Sequence, residues 1–391
     1  MKYKIAILGS TGSIGENTLK IIKKKNNLFV IDTLVAQSNY KKILKQINKF
    51  KPKNFIVTDE KVYLRVKKKF RNLKTNIYPN YNHIKKNKKI FDITISAIPG
   101  IIGLNPTILF LKLSKKILLA NKESIICGWH LIEKLNKKYK TILIPIDSEH
   151  FSIMKLLENK QKDETIEAVY ITASGGPFLN FKKDRKKITP TDALKHPQWS
   201  MGKKISINSA TMMNKLFEYI EAQKLFFEIR NKIKIIIHPQ SQIHAAIKYK
   251  NGITNLLFHK PDMMIPIANA IFNTELNKID FFKTNNSKLE FKKLEFIDIN
   301  KKNFPPINFL PILNKYISLP IILNASNEIL VDLFLSKKIG FNSIIKHLYL
   351  ILRDKNFKKY AIKKTYSIHD IIKIDNWARS TTLSKINEKS F

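Results

Sequence analysis

Lys4-Ile5-Ala6-Ile7-Leu8-Gly9-Ser10-Thr11-Gly12-Ser13-Ile14-Gly15 places a short apolar run directly before three glycines at three-residue spacing. The run reads as a strand, and Glu16 to Lys24 continues at helical spacing. Strand, glycine-rich turn and helix is the context in which such a motif binds a dinucleotide. The glycines let the backbone turn sharply and approach a pyrophosphate. The helix N-terminus then offers free amides and the positive end of its dipole. The spacing G-x-x-G-x-x-G is a variant of the usual pattern, and a tight turn that holds no phosphate is its other reading.

Outward from this motif, Phe29 to Ala36 reads as a second strand. An NAD site usually carries an acid roughly 20 residues past the glycines, to hold the ribose hydroxyls. Here Ala36, Gln37, Ser38 and Asn39 stand in that place, and Asp32 comes too early, within the strand. No carboxylate is present to repel a 2′-phosphate, and Lys41 and Lys42 are nearby, so NADP is expected. Strands at Asn54 to Thr58, Asp92 to Ala97 and Lys116 to Ala120 alternate with helices at Val62 to Phe70 and Asn105 to Leu113. Such alternation predicts an α/β fold with a Rossmann-like, doubly wound parallel sheet. Asn121, Lys122 and Glu123 then fall at the ligand edge of that sheet. A lysine there can hold a phosphate or an oxyanion; a solvated loop with a helix N-cap has the same spacing.

Thr141 to Ile144 reads as a buried strand leading into Pro145-Ile146-Asp147-Ser148-Glu149-His150. Two carboxylates two residues apart point to the same side of an extended chain, with Ser148 between them. Acids at the end of such a strand lie in the crevice where ligands bind. Farther on, Val169 to Thr172 is a strand running into Ala173-Ser174-Gly175-Gly176-Pro177, where small residues allow close approach to an anion or simply form a turn. Phe181 to Gly202 is a long charged segment that carries His196, Trp199 and Met201. Loops with bulky apolar residues are often lids that exclude water, and the other reading is a surface cluster packed on its domain.

The spacing predicts one helix over Ser206 to Phe226, with Ser209 as its cap. Asn214, Lys215 and Glu218 occupy neighbouring positions of one face, as a surface salt bridge would also have them. Asp147, Glu149 and Glu218 together make an all-oxygen set suited to magnesium or manganese, whereas zinc would want histidine or cysteine. His238 and His244, after a strand at Ile233 to Ile237, have no third partner for a zinc site and read as pocket lining or core. Pro305, Pro306 and Pro311 mark a linker. Helices are expected at Asn324 to Ser336, Phe341 to Arg353 and Ser367 to about Ser384, the last opened by a Ser367–Asp370 capping box. Three regions follow: a nucleotide-binding domain over 1–150, an α+β domain with lid loop over 151–300, and a linker with a C-terminal helical bundle over 301–391.

Composition supports a globular chain with two or three cores: 391 residues, 44% of them hydrophobic. The formal charge of +41 invites a nucleic-acid reading. Only six arginines are present, and the lysines are spread through every segment. A specific nucleic-acid binder would gather arginine and aromatic residues on one face, so a chain-wide lysine bias is the preferred explanation and no specific nucleic-acid partner is expected. A single cysteine, Cys127, excludes an internal disulfide and suits a reducing compartment. The most apolar region, Ile90 to Leu113, is broken by Asp92, Pro99, Gly100, Gly103 and Pro106, so no membrane span is expected. A strand at the very start argues against a signal peptide, and a cytoplasmic location is expected.

Taken together, Gly9-Ser-Thr-Gly-Ser-Ile-Gly15, Leu119-Ala-Asn-Lys-Glu-Ser124, Pro145-Ile-Asp-Ser-Glu-His150, Ser174-Gly-Gly-Pro-Phe178, His196-Pro-Gln-Trp-Ser-Met-Gly202, Ser209-Ala-Thr-Met-Met-Asn-Lys215 and His238-Pro-Gln-Ser241 stand in the order seen in 1-deoxy-D-xylulose 5-phosphate reductoisomerases. Asn324-Ala-Ser-Asn-Glu328 extends the likeness into the last third. The chain resembles that family along essentially its whole length. The resemblance implies a homodimer that uses NADPH and magnesium or manganese to rearrange and reduce the phosphosugar to 2-C-methyl-D-erythritol 4-phosphate for isoprenoid synthesis. It implies a metal held by Asp147, Glu149 and Glu218. Lys122, Asp147, Glu149 and Glu218 would be the catalytic residues; Lys122, Ser148, Glu149, Ser174, His196, Trp199, Ser209, Asn214, Lys215 and Glu218 would meet the substrate, with Trp199 as the lid residue. Thr11, Gly12, Ser13, Ile14, Gln37, Ser38, Asn39, Asn121, Glu123 and Gly202 would meet NADPH. The chain departs from the family pattern at Gln37-Ser38, where Gly-Lys is frequent, at Leu216, where glycine is usual, and at Pro99. Two other classes remain as alternatives: a metal-independent NADP oxidoreductase, and a basic protein that binds nucleic acid through lysine density.

Overall fold

The computed structural model describes residues 2–71, 74–84, 90–158, 163–181, 184–199, 201–273, 281–282, 293–363 and 367–388. Ser200 of the expected lid, and residues 182–183 at the start of that segment, lie outside the described residues. The chain divides into two compact units, one of residues 1–124, 129–151 and 262–287, the other of residues 125–128, 152–261 and 288–391.

The first unit is built on strands β1 (Tyr3–Leu8), β2 (Phe29–Ala36), β3 (Asn54–Val57), β4 (Asn76–Tyr78), β5 (Phe91–Ser96), β6 (Ser114–Leu119) and β7 (Ile142–Pro145). They form one sheet in the order β4-β3-β2-β1-β5-β6-β7, with every pairing parallel. Helices α1 (Ser13–Lys24), α2 (Tyr40–Phe50), α3 (Glu60–Lys69), α4 (Leu104–Leu113) and α5 (Lys122–Tyr139) make the crossovers. The chain runs outward one way from β1 to β4, then returns to β5 and runs outward the other way. That reversal between β1 and β5 is the switch point beside which a doubly wound sheet binds its ligand. Ile5, Ile7 and Leu8 are wholly buried, as a central parallel strand requires.

The expected alternation is present, and two details differ from expectation. Strand β7 is the sheet edge, and Ile142 on it is 59% exposed, so the run before Pro145 is only partly buried. Glu149 does not continue an extended chain: helix α6 (Ser148–Leu157) begins at Ser148. Asp147 and Glu149 are thus joined by a strand-to-helix turn. The register of β1 on β2 shifts between Ile5 and Ala6. Asp32, at that irregularity, is buried and accepts hydrogen bonds from Thr33 Oγ1 and Asn54 Nδ2. It is occupied within the sheet, in keeping with its being too early to serve a ribose.

The second unit carries a four-stranded sheet in the order β11-β10-β8-β9, from β8 (Ile166–Ala173), β9 (Ile233–Ile237), β10 (Ile243–Tyr249) and β11 (Thr254–Phe258). Strands β8 and β9 are parallel, and β10 is antiparallel to both β8 and β11. Ile153, Val169, Ile171, Ile229 and Ile247 form part of its core. The polar loop after β8 contains a short helix α7 (Pro190–Ala193), opened by a Thr189–Asp192 capping box.

The single helix expected over Ser206 to Phe226 is two helices, α8 (Lys203–Ala210) and α9 (Met213–Leu225). Thr211 Oγ1 donates back to the Ile207 carbonyl, and Met212 takes a left-handed conformation at φ 67°. Ser209 therefore lies in the last turn of α8 and caps nothing at the start of α9, whose N-cap is Met212. Helix α10 (Met264–Phe272) belongs to the first unit. The proline stretch expected as a linker is a 3₁₀ helix over Pro305–Ile312 with Pro306, Ile307 and Phe309 buried. Helices α11 (Leu319–Leu335), α12 (Phe341–Leu352), α13 (Phe357–Tyr360) and α14 (Ile368–Asn387) complete a helical C-terminal region. The Ser367–Asp370 capping box is present at the start of α14. Among the described residues, no helix is long and apolar enough to cross a membrane.

Candidate active site

At the carboxyl end of β1 the glycines have distinct tasks. Gly9 has φ 82°, and a Cβ there would sit 2.5 Å from the Ala97 carbonyl oxygen, so the turn lies against the end of β5. A Cβ on Gly15 would be 2.4 Å from the Gly9 carbonyl oxygen, so α1 can start this close to the turn only without a side chain. Gly12 is the N-cap of α1, and no side chain caps that helix. A Cβ at Gly12 would meet only the Gly9 carbonyl oxygen, at 3.4 Å. An uncapped helix N-terminus beside an open glycine fits a pyrophosphate. Thr11, Gly12, Ser13 and Ile14 line this turn. Lys42 Nζ donates to the Thr11 carbonyl at 3.1 Å and pairs with Glu16 at 2.8 Å, tying α2 to the glycine turn. Asn39 caps α2 by accepting from Lys42 N, while Gln37 and Ser38 are exposed just before it.

Asn121 is buried and its side chain is used within the protein. Its amide donates to the Ile98 and Gly100 carbonyls, and its carbonyl oxygen caps α5 by accepting from Ser124 N. Gly103 makes this possible: a Cβ there would be 2.5 Å from Asn121 Nδ2. In the sequence Gly103 shows only as an interruption of an apolar run; the available signal was a glycine directly before the first residue of α4. Lys122 opens α5, and Glu123 lies in its first turn. Lys122 Nζ meets Asp147 Oδ2 at 3.2 Å, with side chains 15% and 22% exposed. The ends of β6 and β7 thus bring a cation and a carboxylate together at the ligand edge. Beside them, Ser148 Oγ donates to Glu149 Oε2 at 2.6 Å.

In the second unit, Ser174 follows β8 and the chain turns through Gly175 and Gly176, both at positive φ. Ser174 Oγ accepts from Gly176 N at 3.0 Å and is 2.9 Å from His196 Nε2. His196 Nδ1 accepts from the amides of Gln198 and Trp199, so the proton belongs on Nε2 and the ring donates to Ser174. Burial lowers the His196 pKa, which favours this neutral ring. The Ser174 hydroxyl proton is then directed elsewhere, as an anion-binding group requires. Ser209 is close to this turn: a Cβ on Gly176 would lie 3.0 Å from the Ser209 carbonyl oxygen. Trp199 packs edge-on to His244, with ring centroids 5.9 Å apart. Gly202 is the N-cap of α8, with open space around it.

On α9, Lys215 pairs with Glu218, and Asn214 Nδ2 donates to the other carboxylate oxygen. The Lys215 and Glu218 side chains are 5% and 2% exposed, so this is a buried ion pair and not the surface bridge that its spacing also allowed. Leu216, in place of the family's usual glycine, is wholly buried within the helix and needs no unusual backbone. Cys127 is a buried core residue. The donor chemistry at Asp147, Glu149 and Glu218 is carboxylate oxygen alone, which fits a hard divalent ion.

A glycine-turn dinucleotide fold with Lys122 and the carboxylates Asp147 and Glu149 at its sheet edge fits a nucleotide-dependent oxidoreductase. Three family models match: 1-deoxy-D-xylulose 5-phosphate reductoisomerase over residues 5–128, its C-terminal domain over 143–226, and a DXP reductoisomerase C-terminal domain over 258–381. The enzyme of that name from Pelagibacter ubique is 46% identical over 385 residues, covering 96% of this chain and 97% of the relative. The Persephonella marina protein of the same name is 39% identical, covering 95% and 99%. A solved DOX-P reductoisomerase in complex with NADPH, fosmidomycin and magnesium has a TM-score of 0.89 at 31% identity, covering 98% of both chains. The Zymomonas mobilis reductoisomerase with NADPH gives 0.86 at 30%, covering 99% of both. The chain belongs to the 1-deoxy-D-xylulose 5-phosphate reductoisomerase family.

Proposed function

We infer that the protein converts 1-deoxy-D-xylulose 5-phosphate to 2-C-methyl-D-erythritol 4-phosphate with NADPH and a divalent metal ion, in isoprenoid precursor synthesis. The observation that carries this reading is the end-to-end likeness to the reductoisomerase holding NADPH, fosmidomycin and magnesium. In this reading, residues 1–150 bind the nucleotide, 151–300 supply the substrate groups and the lid, and 301–391 buttress them.

Asp147, Glu149 and Glu218 would hold the metal, Mg²⁺ or Mn²⁺. When bound, the metal supplies Lewis-acid polarisation of the substrate carbonyl and its neighbouring hydroxyl. Bound NADPH supplies hydride to the aldehyde that the rearrangement forms. Lys122 and Ser148 orient the reacting end, and the Lys122 ammonium is 3.2 Å from Asp147, a position from which it can stabilise an oxyanion. Ser174, His196, Ser209, Asn214 and Lys215 anchor the distant phosphate, so that binding energy there orients the carbon skeleton. Trp199 closes over the site and keeps water from it. The glycine turn holds the NADPH pyrophosphate through Thr11, Gly12, Ser13 and Ile14. Gln37, Ser38 and Asn39 face its adenosine end, and Asn121, Glu123 and Gly202 complete the cofactor site. The protein works as a homodimer in the cytoplasm, a location that suits its single buried thiol.

The test is loss of NADPH absorbance with 1-deoxy-D-xylulose 5-phosphate, with and without added magnesium. Oxidation that needs both substrate and metal is expected. Oxidation independent of metal would favour a simple NADP oxidoreductase.

A further inference from the structure

We propose that Asn327 is a positioning residue: it sets the phosphate-anchoring end of α8 through a partly buried amide pair with Asn208. This rests on the reading above, in which Ser209 binds the substrate phosphate.

Helix α11 is apolar along most of its length, yet Asn324-Ala325-Ser326-Asn327 within it is wholly buried. Asn324 is 2% exposed, Ser326 0% and Asn327 1%. Burying amides and hydroxyls costs stability unless they are fully bonded. Asn324 Nδ2, Ser326 Oγ and Asn327 Oδ1 make no hydrogen bond among the described residues. An apolar helix face would pack better, so packing alone does not account for this stretch. The bond that Asn327 does make points to its use. Its Nδ2 donates to Asn208 Oδ1 at 2.8 Å.

Asn208 directly precedes Ser209 in the last turn of α8. That turn already touches the Ser174–Gly176 loop, where no Cβ fits comfortably at Gly176. The Asn327 amide fixes the same turn from α11. Helix α11 is itself held: Arg379 on α14 donates to Glu328 at 2.6 Å and to Asp375 at 2.6 Å. Burial opposes the Arg379 charge, but the bonds to Asp375 and Glu328 outweigh it and hold its pKa above the ordinary value. A rigid helix thus presents one amide to the residue beside a phosphate ligand. Small displacements of such a ligand are felt strongly in binding.

Asn327→Ala and Asn208→Ala are each expected to raise the KM for 1-deoxy-D-xylulose 5-phosphate by about tenfold. The inhibition constant of inorganic phosphate should rise with it, while kcat and the NADPH Kd stay within about twofold. The double variant should be no worse than either single one, because both remove the same bond. Asn208 is only partly buried, so its variant keeps the test open if Asn327→Ala fails to fold. A lowered melting temperature with unchanged KM and phosphate inhibition in the Asn208 variant would overturn the proposal. Ser209→Ala, run in parallel, separates the two claims. If it alone raises KM, the anchoring reading stands and the positioning role fails. If only the asparagine variants raise KM, α8 is positioned as proposed and Ser209 is not the ligand.

Discussion

Two lysine–carboxylate pairs serve the proposed site, and they are physically unlike. Lys122 and Asp147 meet at the carboxyl edge of the parallel sheet, with side chains 15% and 22% exposed. Lys215 and Glu218 sit three residues apart on α9, 5% and 2% exposed. The first pair stays in reach of water and can exchange partners when a ligand arrives. The second is more deeply buried, and Asn214 supports it as well. Charge at an open sheet edge is available for chemistry at little structural cost, whereas charge inside a helix packing layer is bound up with stability.

The contrast is most sharply broken by Asp147→Asn. Turnover should fall by about 10³-fold or more, as expected when a ligand to a Lewis-acid metal is lost. Fluorescence titration should show NADPH binding unchanged, and denaturant unfolding should change by less than in Glu218→Gln. Glu218→Gln should act differently. It removes the carboxylate charge from a pair whose side chains are only 5% and 2% exposed, and breaking a buried pair costs about 3–5 kcal/mol. Urea unfolding of the two variants side by side tests this; equal destabilisation would erase the distinction. Gly15→Ala comes next. A Cβ would lie 2.4 Å from the Gly9 carbonyl oxygen and 2.6 Å from Ser10 Cα, both backbone atoms. The turn must shift, and NADPH should bind about tenfold more weakly with the Mn²⁺ affinity unchanged.

The smallest effect is a pH dependence. Burial lowers the His196 pKa, so the folded state favours the neutral ring whose Nδ1 accepts from Gln198 and Trp199. The unfolded chain binds that proton more readily. The associated stability is therefore fully present above the ordinary histidine value of about 6.5 and is lost as pH falls through the lowered folded value. Unfolding free energies of the wild type and His196→Asn should converge as pH drops through that window. Parallel curves would remove His196 from the account.

The two regions also differ in what their residues revealed. Apart from the three-residue edge strand β4, which was missed, the sheet was readable because each apolar run is short, each is followed by a turn signal, and Gly9, Gly12 and Gly15 sit at the one place where a phosphate would be held. Strand-to-helix alternation then placed Asn121, Lys122 and Asp147 at one edge by topology alone. The second region was less readable. Nothing in Thr211-Met212 signals a left-handed residue, since methionine rarely adopts one, so two helices read as one. Strands β10 and β11 were missed; Ile253 and Leu256 in this hairpin are exposed, which blurs the alternation. Lys215 and Glu218 showed a helical spacing but not their burial, because periodicity carries no information about what covers a helix. Asn327 stood within the quoted Asn324–Glu328 motif, but nothing there indicated its partner, which lies 119 residues away.

The most direct test follows Mn²⁺ binding by electron paramagnetic resonance in the wild type, Asp147→Asn and Glu218→Gln proteins, with folding of each verified by circular dichroism. One site per wild-type chain, weakened by about tenfold or more in both folded variants, is expected if the two carboxylates serve a single ion. Undiminished Mn²⁺ binding in folded Glu218→Gln would contradict it.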